Sequence, residues 1–239
     1  MPQTHLKVKL LTHTPQPEKA CALAARICYA SIGVDELTEK VESKDQEAFL
    51  RRIVGMGHES VLEHASFTFV IEGVSRALLA QITRHRLASY SVQSQRYVSL
   101  AEGFQYIIPP RIEALGTEAK AEFERQMEQM HTWYMEWQSK LGSGEGSNED
   151  ARFVLPNACE TRLTVTMNAR ELMHFFSLRC CERAQWEIRA LACEMLRLVK
   201  EVAPSIFQNA GPACVRGACP EGNKSCGLAS LKRAYFQSL

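Results

Sequence analysis

Several motifs that would settle a cofactor at a glance are missing from this chain. Neither G-x-G-x-x-G nor G-x-x-x-x-G-K occurs, so no Rossmann turn and no phosphate loop is available to a nucleotide. The H-E-x-x-H spacing of zinc proteases is absent, and so is any C-x-x-C pair, although the chain has nine cysteines. No uninterrupted apolar run approaches the ~20 residues that span a bilayer, residues 1–9 lack the apolar core of a signal peptide, and there are no internal repeats. A cytoplasmic protein without membrane contact is expected, its odd number of cysteines held as reduced thiols rather than as a disulfide framework. One further deficit is local: between Glu72 and Glu102 there is no acidic residue.

Cations occupy that gap. Arg76, Arg84, Arg86 and Arg96 fall inside it, joined by hydroxyls and an amide at Ser89, Ser91, Gln93 and Ser94. Guanidinium forks pair bidentately with phosphate or carboxylate, and short polar side chains complete such a donor set, so residues 84–96 read as a local anion receptor. The competing reading is a solvated basic helix end. A formal net charge of +1 and a pI near 7.6 show that the basic stretch is balanced elsewhere, notably by residues 35–47 and 118–128. A general polyanion binder is usually more basic overall. That weighs against a nucleic-acid-binding protein using residues 84–96 against phosphates and Tyr90 and Tyr97 for stacking. With 239 residues, 46% of them hydrophobic, one domain with a real core is expected.

Taken in order, residues 5–11 alternate as a short strand and residues 17–28 carry one apolar helical face. Ser43 with Gln46 has the spacing of a capping box for a helix running to about residue 56, with Gly57 as its terminator. Residues 57–64 pack His58, Glu59, Glu63 and His64 together. The two histidines are six apart and do not share a helical face, so a metal site is disfavoured. Ser60 and Glu63 have the spacing of a second capping box, whose exposed backbone N–H groups would let Ser60 help hold a phosphate. Residues 66–72 form a strand and 75–85 a helix that places Gln81 and Arg84 on one face, followed by a polar loop to Arg96.

Residues 105–108 read as a strand stopped by Pro109 and Pro110, and 117–141 as a long helix. Its Phe123, Met127, Met130, Tyr134 and Trp137 form a packing stripe. Residues 142–150 read as a flexible surface loop, the best candidate for disorder, and Arg152 just beyond it is uninformative alone. A strand over 161–168 leads into a helix over 169–178, with Arg170 and His174 on one face and Arg179 at its end. A last long helix spans 183–202 and stops at Pro204. In the Gly/Pro-containing tail, Cys214, Cys219 and Cys226 could hold zinc with a fourth ligand from elsewhere, but their spacings match no standard site.

Arg84-His85-Arg86, seven residues, Ser94 and then Arg96 resemble the signature of the flavin-dependent thymidylate synthases. Gly57-His58-Glu59-Ser60 with Glu63-His64, Phe67-Thr68-Phe69, Ser89-Tyr90, Arg152 before Val154-Leu155-Pro156, Thr166 to Arg170, Arg179 and Ala184-Gln185-Trp186-Glu187 follow in family order, over roughly residues 20–207. The resemblance implies an α/β fold, a single domain with a central, mostly antiparallel sheet flanked by long helices, assembled as a homotetramer with sites between subunits. It assigns residues 1–207 to the synthase domain and 208–239 to a tail. It implies methylene transfer from methylenetetrahydrofolate to dUMP, with NADPH-reduced FAD supplying the hydride and no nucleic-acid partner.

Carried over by motif, Gln81, Arg84, Gln93, Ser94, Gln95, Arg96, Arg152 (from a neighbouring subunit) and Arg179 would bind dUMP. Ser60, Arg84, His85, Arg86, Val92, Asn168, Arg170 and His174 would hold FAD, with His58 close to flavin and folate. Arg179 is the residue implied to activate the pyrimidine. The residues agree with that chemistry: without a glycine-rich loop, FAD phosphates need side-chain cations such as Arg84, Arg86 and Arg170. Ser94 is read as a ligand, because no orienting carboxylate stands with His85 inside the motif to make it a nucleophile. Cys180 and Cys181 adjoin Arg179 but are given no role. Where many members have Asn-Glu this chain has Ser91-Val92, which removes a carboxylate contact, and His174 and Arg183 also stand in place of other polar residues.

Overall fold

The computed structural model describes residues 1–142 and 144–239. Strand β1 (Lys7–His13) is followed by helices α1 (Pro17–Ile27), α2 (Val34–Glu42) and α3 (Glu47–Gly55), then β2 (Ser66–Ser75), α4 (Arg76–Ile82) and β3 (Ala88–Val92). Next come α5 (Pro110–Glu113), α6 (Thr117–Leu141) and α7 (Glu145–Ala151), then β4 (Glu160–Asn168), α8 (Ala169–Arg179), α9 (Trp186–Val202), α10 (Pro204–Phe207) and α11 (Ala229–Ser238). The architecture is α/β, with a four-stranded antiparallel sheet in the order β1-β2-β4-β3. None of the described helices is long and apolar enough to cross a membrane.

The described residues form two compact units. One comprises Met1–Lys7, Ile71–Arg84 and Tyr90–Thr164. Its core gathers Phe104, Tyr106, Ile108, Met127 and Cys159, with Phe123 and Met130 of α6 packed against them. Helix α6 has the expected bounds, but the outer end of its stripe, Trp137, is exposed. The buried Tyr134 hydroxyl accepts from Gln138 Nε2 at 2.8 Å and from the Leu100 backbone N–H at 3.3 Å, and donates to Asn148 Oδ1 at 3.3 Å.

The other unit comprises Val8–Val70, His85–Ser89 and Val165–Leu239. Here α9 turns Ile188, Leu191, Ala192, Met195, Leu196 and Val199 inward at intervals of three and four, the helical repeat. Phe207 of α10 meets Phe67 edge-on at 5.4 Å and Phe176 at 6.0 Å. Thr68 of β2 and Thr166 of β4 share a hydrogen bond of 2.9 Å between their hydroxyls. Residues after Pro204 are packed as well: Phe236 of α11 is buried, and Lys200 donates to its carbonyl.

Several expectations are corrected. Ser43 caps the C-terminus of α2, a helix the pattern did not show, and α3 begins at Glu47 with no side-chain cap. Residues 59–64 are a 3-10 turn in which Ser60 makes no capping bond, so neither capping box forms. The polar stretch 84–96 contains β3, because Ala88, Tyr90 and Val92 face inward between exposed Ser89 and Ser91. Residues 105–108 contribute only isolated bridges at Tyr106. Residues 145–151, expected as loop, form α7, since buried Asn148 satisfies Tyr134 and donates to the Arg96 carbonyl at 2.8 Å. Packing of specific polar groups there outweighs the low helix propensity of Gly, Ser and Asn, and Ser143 of the same stretch lies outside the described residues. Helix α9 starts at Trp186 rather than at residue 183, because the Gln185 side chain accepts from the Glu187 and Ile188 N–H groups and caps it.

Gly73 sits at φ +70, and an added Cβ would collide with the His5 carbonyl. Gly73→Ala is therefore expected to destabilise by about 3 kcal/mol or more, from backbone strain plus an unrelievable clash. A thermal unfolding midpoint equal to wild type would contradict this packing.

Candidate active site

Helix α8 carries the densest arrangement. Strand β4 ends at Asn168, whose side chain accepts from the Glu171 N–H at 2.9 Å and starts the helix as an N-cap. From there Glu171, Phe175 and Arg179 recur every four residues and line one face. His85 lies across all three. Its Nδ1 stands 3.1 Å from Glu171 Oε1, its ring meets Phe175 edge-on at 4.9 Å, and its Nε2 accepts from Arg179 Nε at 3.0 Å. His85 and Glu171 are 5% and 6% exposed, so neither can turn to water for a substitute partner. An uncompensated buried charge costs ~3–5 kcal/mol, which makes the pairing compulsory.

Burial pushes the His85 imidazole below its ordinary pKa; the Glu171 hydrogen bond opposes this, and the Arg179 and His174 charges add to it. The ring is therefore neutral near pH 7. On the neighbouring face of α8, Arg170 and His174 are exposed, and Arg170 is paired with Glu63. Arg84 and Arg86 are exposed and form no ion pair among the described residues. His58 and Ser60 are also exposed, while Glu59 between them holds Arg216 of the tail at 2.8 Å. The structure thus splits the Arg84-His85-Arg86 triplet into two outward cations and one inward ring.

In the unit that contains it, Arg96 is clasped by acid. It pairs with Glu145 and stands 3.0 Å from Glu149, although the angle to Glu149 is poor and leaves its Nε without a hydrogen-bond partner. Arg152 Nε donates to the Glu149 backbone carbonyl at 3.0 Å, so the two arginines flank one residue within a single chain. Ser94 Oγ accepts from the Arg96 N–H at 3.1 Å, and Gln95 Nε2 reaches Cys159 Sγ at 3.7 Å. Half-buried Gln81 spends its amide on the Ala77 carbonyl at 3.4 Å, and Val92 at the end of β3 is half-buried too. Arg96, Tyr97, Ser99, Gln138 and Asn148 line an open cleft of about 830 Å³. The Tyr90 hydroxyl donates to the Ile82 carbonyl at 2.7 Å, which ties down one of the two rings considered for base stacking.

Arg76, counted among the cations of the basic stretch, donates to the Gln93 carbonyl at 2.9 Å and leaves Nε buried without a hydrogen-bond partner among the described residues. One residue of consequence was not legible beforehand. Glu171 had a usable signal in its spacing with Phe175 and Arg179, but its partner lies 86 residues away.

Among the cysteines, burial raises the Cys21 thiol to about 12, the Cys159 thiol to about 11 and the Cys180 thiol well above its ordinary value. Cys181, Cys214, Cys219 and Cys226 line one small cavity, bringing the tail thiols beside a fourth. Among the described residues, however, no group of three or more His, Cys, Asp or Glu is arranged to hold a metal ion.

Guanidinium, imidazole and short polar groups are the donor class that enzymes turn on anionic ligands. The sequence pattern of the family described as "Thymidylate synthase complementing protein" matches residues 9–205. A flavin-dependent thymidylate synthase of Geobacter sulfurreducens is 57% identical over 98% of this chain and 99% of its own length. Those of Clostridium tetani and Pyrococcus horikoshii are 51% and 43% identical, over 97% and 90% of each chain. The chain belongs to the flavin-dependent thymidylate synthase family and is an enzyme.

In native protein at neutral pH, a thiol reagent is expected to label exposed Cys28 and Cys226 first, and Cys21, Cys159 and Cys180 only on unfolding. Peptide mapping reads the order, and early labelling of Cys180 would contradict its inert environment.

Proposed function

We propose that the chain converts dUMP to dTMP, taking a methylene from methylenetetrahydrofolate and using NADPH-reduced FAD as hydride source, as a cytoplasmic homotetramer with sites between subunits. Residues 1–207 form the synthase domain and 208–239 its tail. The observation that carries the reading is the fixed guanidinium of Arg179, held through Nε by His85. Beside the pyrimidine N3 and its carbonyl oxygens, such a group stabilises the negative charge that makes C5 nucleophilic. No enzyme nucleophile is then needed, in keeping with the buried, raised Cys180 thiol.

Gln81, Arg84, Gln93, Ser94, Gln95, Arg96 and Arg152 join Arg179 as the dUMP set. For FAD, exposed Arg84 and Arg86, free of ion pairs among the described residues, fit a diphosphate in a chain without a glycine-rich loop. Ser60, Asn168, Arg170 and His174 complete that set, with Val92 and with His58 near flavin and folate. Asn168 has its carbonyl oxygen committed to the helix cap, which leaves its amide N–H₂ to donate. Both His85 ring nitrogens are engaged, so its contribution to FAD is through the backbone. Bound FAD would supply the hydride that completes the methyl group.

The protein is expected to purify yellow or to take up FAD, and to oxidise NADPH faster with dUMP present. A colourless protein that ignores FAD and binds single-stranded nucleic acid with steep salt dependence would refute the proposal. Arg179→Ala is expected to keep flavin while dTMP formation falls by about 10²-fold or more, the scale of losing one preorganised electrostatic contact. Full turnover in that variant would remove the assignment of Arg179.

A further inference from the structure

Glu171 is a buried carboxylate with no part in the proposed chemistry. In a helix whose N-cap is Asn168 it occupies the third position, where an acid commonly reaches back to the cap residue's N–H. Here its carboxylate is turned to His85 instead. We propose that Glu171, acting through His85, is the positioning residue that fixes the orientation of the Arg179 guanidinium for the reaction. The proposal rests on the assignment of Arg179 to the nucleotide.

The argument follows from donor and acceptor inventories. Arginine Nε is always protonated and only donates, so the His85 Nε2 that it meets at 3.0 Å must be the bare, accepting nitrogen. The ring proton then sits on Nδ1, which faces Glu171 Oε1 at 3.1 Å, and an ionised carboxylate is its acceptor. One arrangement satisfies all three groups: Glu171 charged, His85 neutral with its proton on Nδ1, Arg179 charged. The other neutral tautomer would point two N–H groups at each other across the Nε2–Nε contact. A doubly protonated ring would do the same and place cation beside cation.

Helix α8 brings the charged and titratable groups Glu171, His174 and Arg179 to His85. Phe175 packs edge-on against the ring without adding charge. Hence acid uncouples Arg179: protonating His85 removes its acceptor, and activity is lost as pH falls through the lowered His85 pKa. The Glu171 hydrogen bond and charge favour the protonated ring, so removing that carboxylate moves the acid limb to lower pH.

The test uses the flavin-loaded enzyme with dUMP, methylenetetrahydrofolate and NADPH. Glu171→Gln is expected to keep its flavin and a dUMP KM within about twofold of wild type, to lose tenfold or more in kcat, and to shift the acid limb of kcat downward. Glu171→Asp restores part of kcat and of the acid limb. Should Glu171→Gln fail to fold, His85→Gln decides: its amide offers a donor and an acceptor but does not titrate, so measurable turnover should persist without the acid limb. Wild-type kcat and acid limb in Glu171→Gln, or an unchanged acid limb in His85→Gln, overturn the proposal. If either occurs while Arg179→Ala is inactive, only the positioning role fails. An active Arg179→Ala instead removes the site reading beneath it.

Discussion

A guanidinium Nε can donate and cannot accept, and that asymmetry orders the whole α8 surface. It dictates the tautomer of His85, which directs the ring's Nδ1 proton to Glu171, and both of these side chains are buried. Net stabilities of ~5–15 kcal/mol leave little room for a buried acid without its partner. The Asn168 cap that starts α8 and the four-residue repeat that carries Glu171, Phe175 and Arg179 along one face are the local means to that end. The setting of the side chain at the helix C-terminus is thus prepared in its first turn, at Glu171, two turns earlier.

Much of the fold was legible because its elements obey one period. Helix α6 over Thr117–Leu141 and helix α1 from Pro17 show the helical repeat over many residues, and β4 shows strict alternation. The failures share a cause too. Ser43 and Ser60 have box spacing, yet a cap forms only where the chain already bends, and the neighbouring helices bend elsewhere. Strand β3 was hidden by serines that alternate as a strand should but were counted as loop formers. Helix α7 has no local signal at all, being held by Asn148 through groups 14 and 52 residues away.

The candidate site was readable by residue type and unreadable by orientation. Arg84, His85 and Arg86 form one basic word in the sequence, whereas the backbone sends the middle letter inward and the outer two to solvent. Arg170 and Arg179 on the same helix differ likewise: one is exposed and paired with Glu63, the other is held by a buried imidazole. Which cation is held by a buried ring and which stays exposed is settled by partners 94 or 107 residues distant, beyond any window of local pattern.

The carboxylates around Arg96 bear on how this enzyme meets the crowd of anions in which it would work. Arg96 with Glu145, Glu149 and the neighbouring Arg152 sums to no net charge, and the field of such a cluster decays within about 10 Å at moderate ionic strength. Distant polyanions therefore feel little pull toward the cleft. A ligand that does bind Arg96 must arrive by exchange, displacing an internal acid rather than filling an empty charge. A compact, doubly charged group can win that exchange where a diffuse or singly charged one cannot, so the resting chain would sort anions by charge density before shape is consulted.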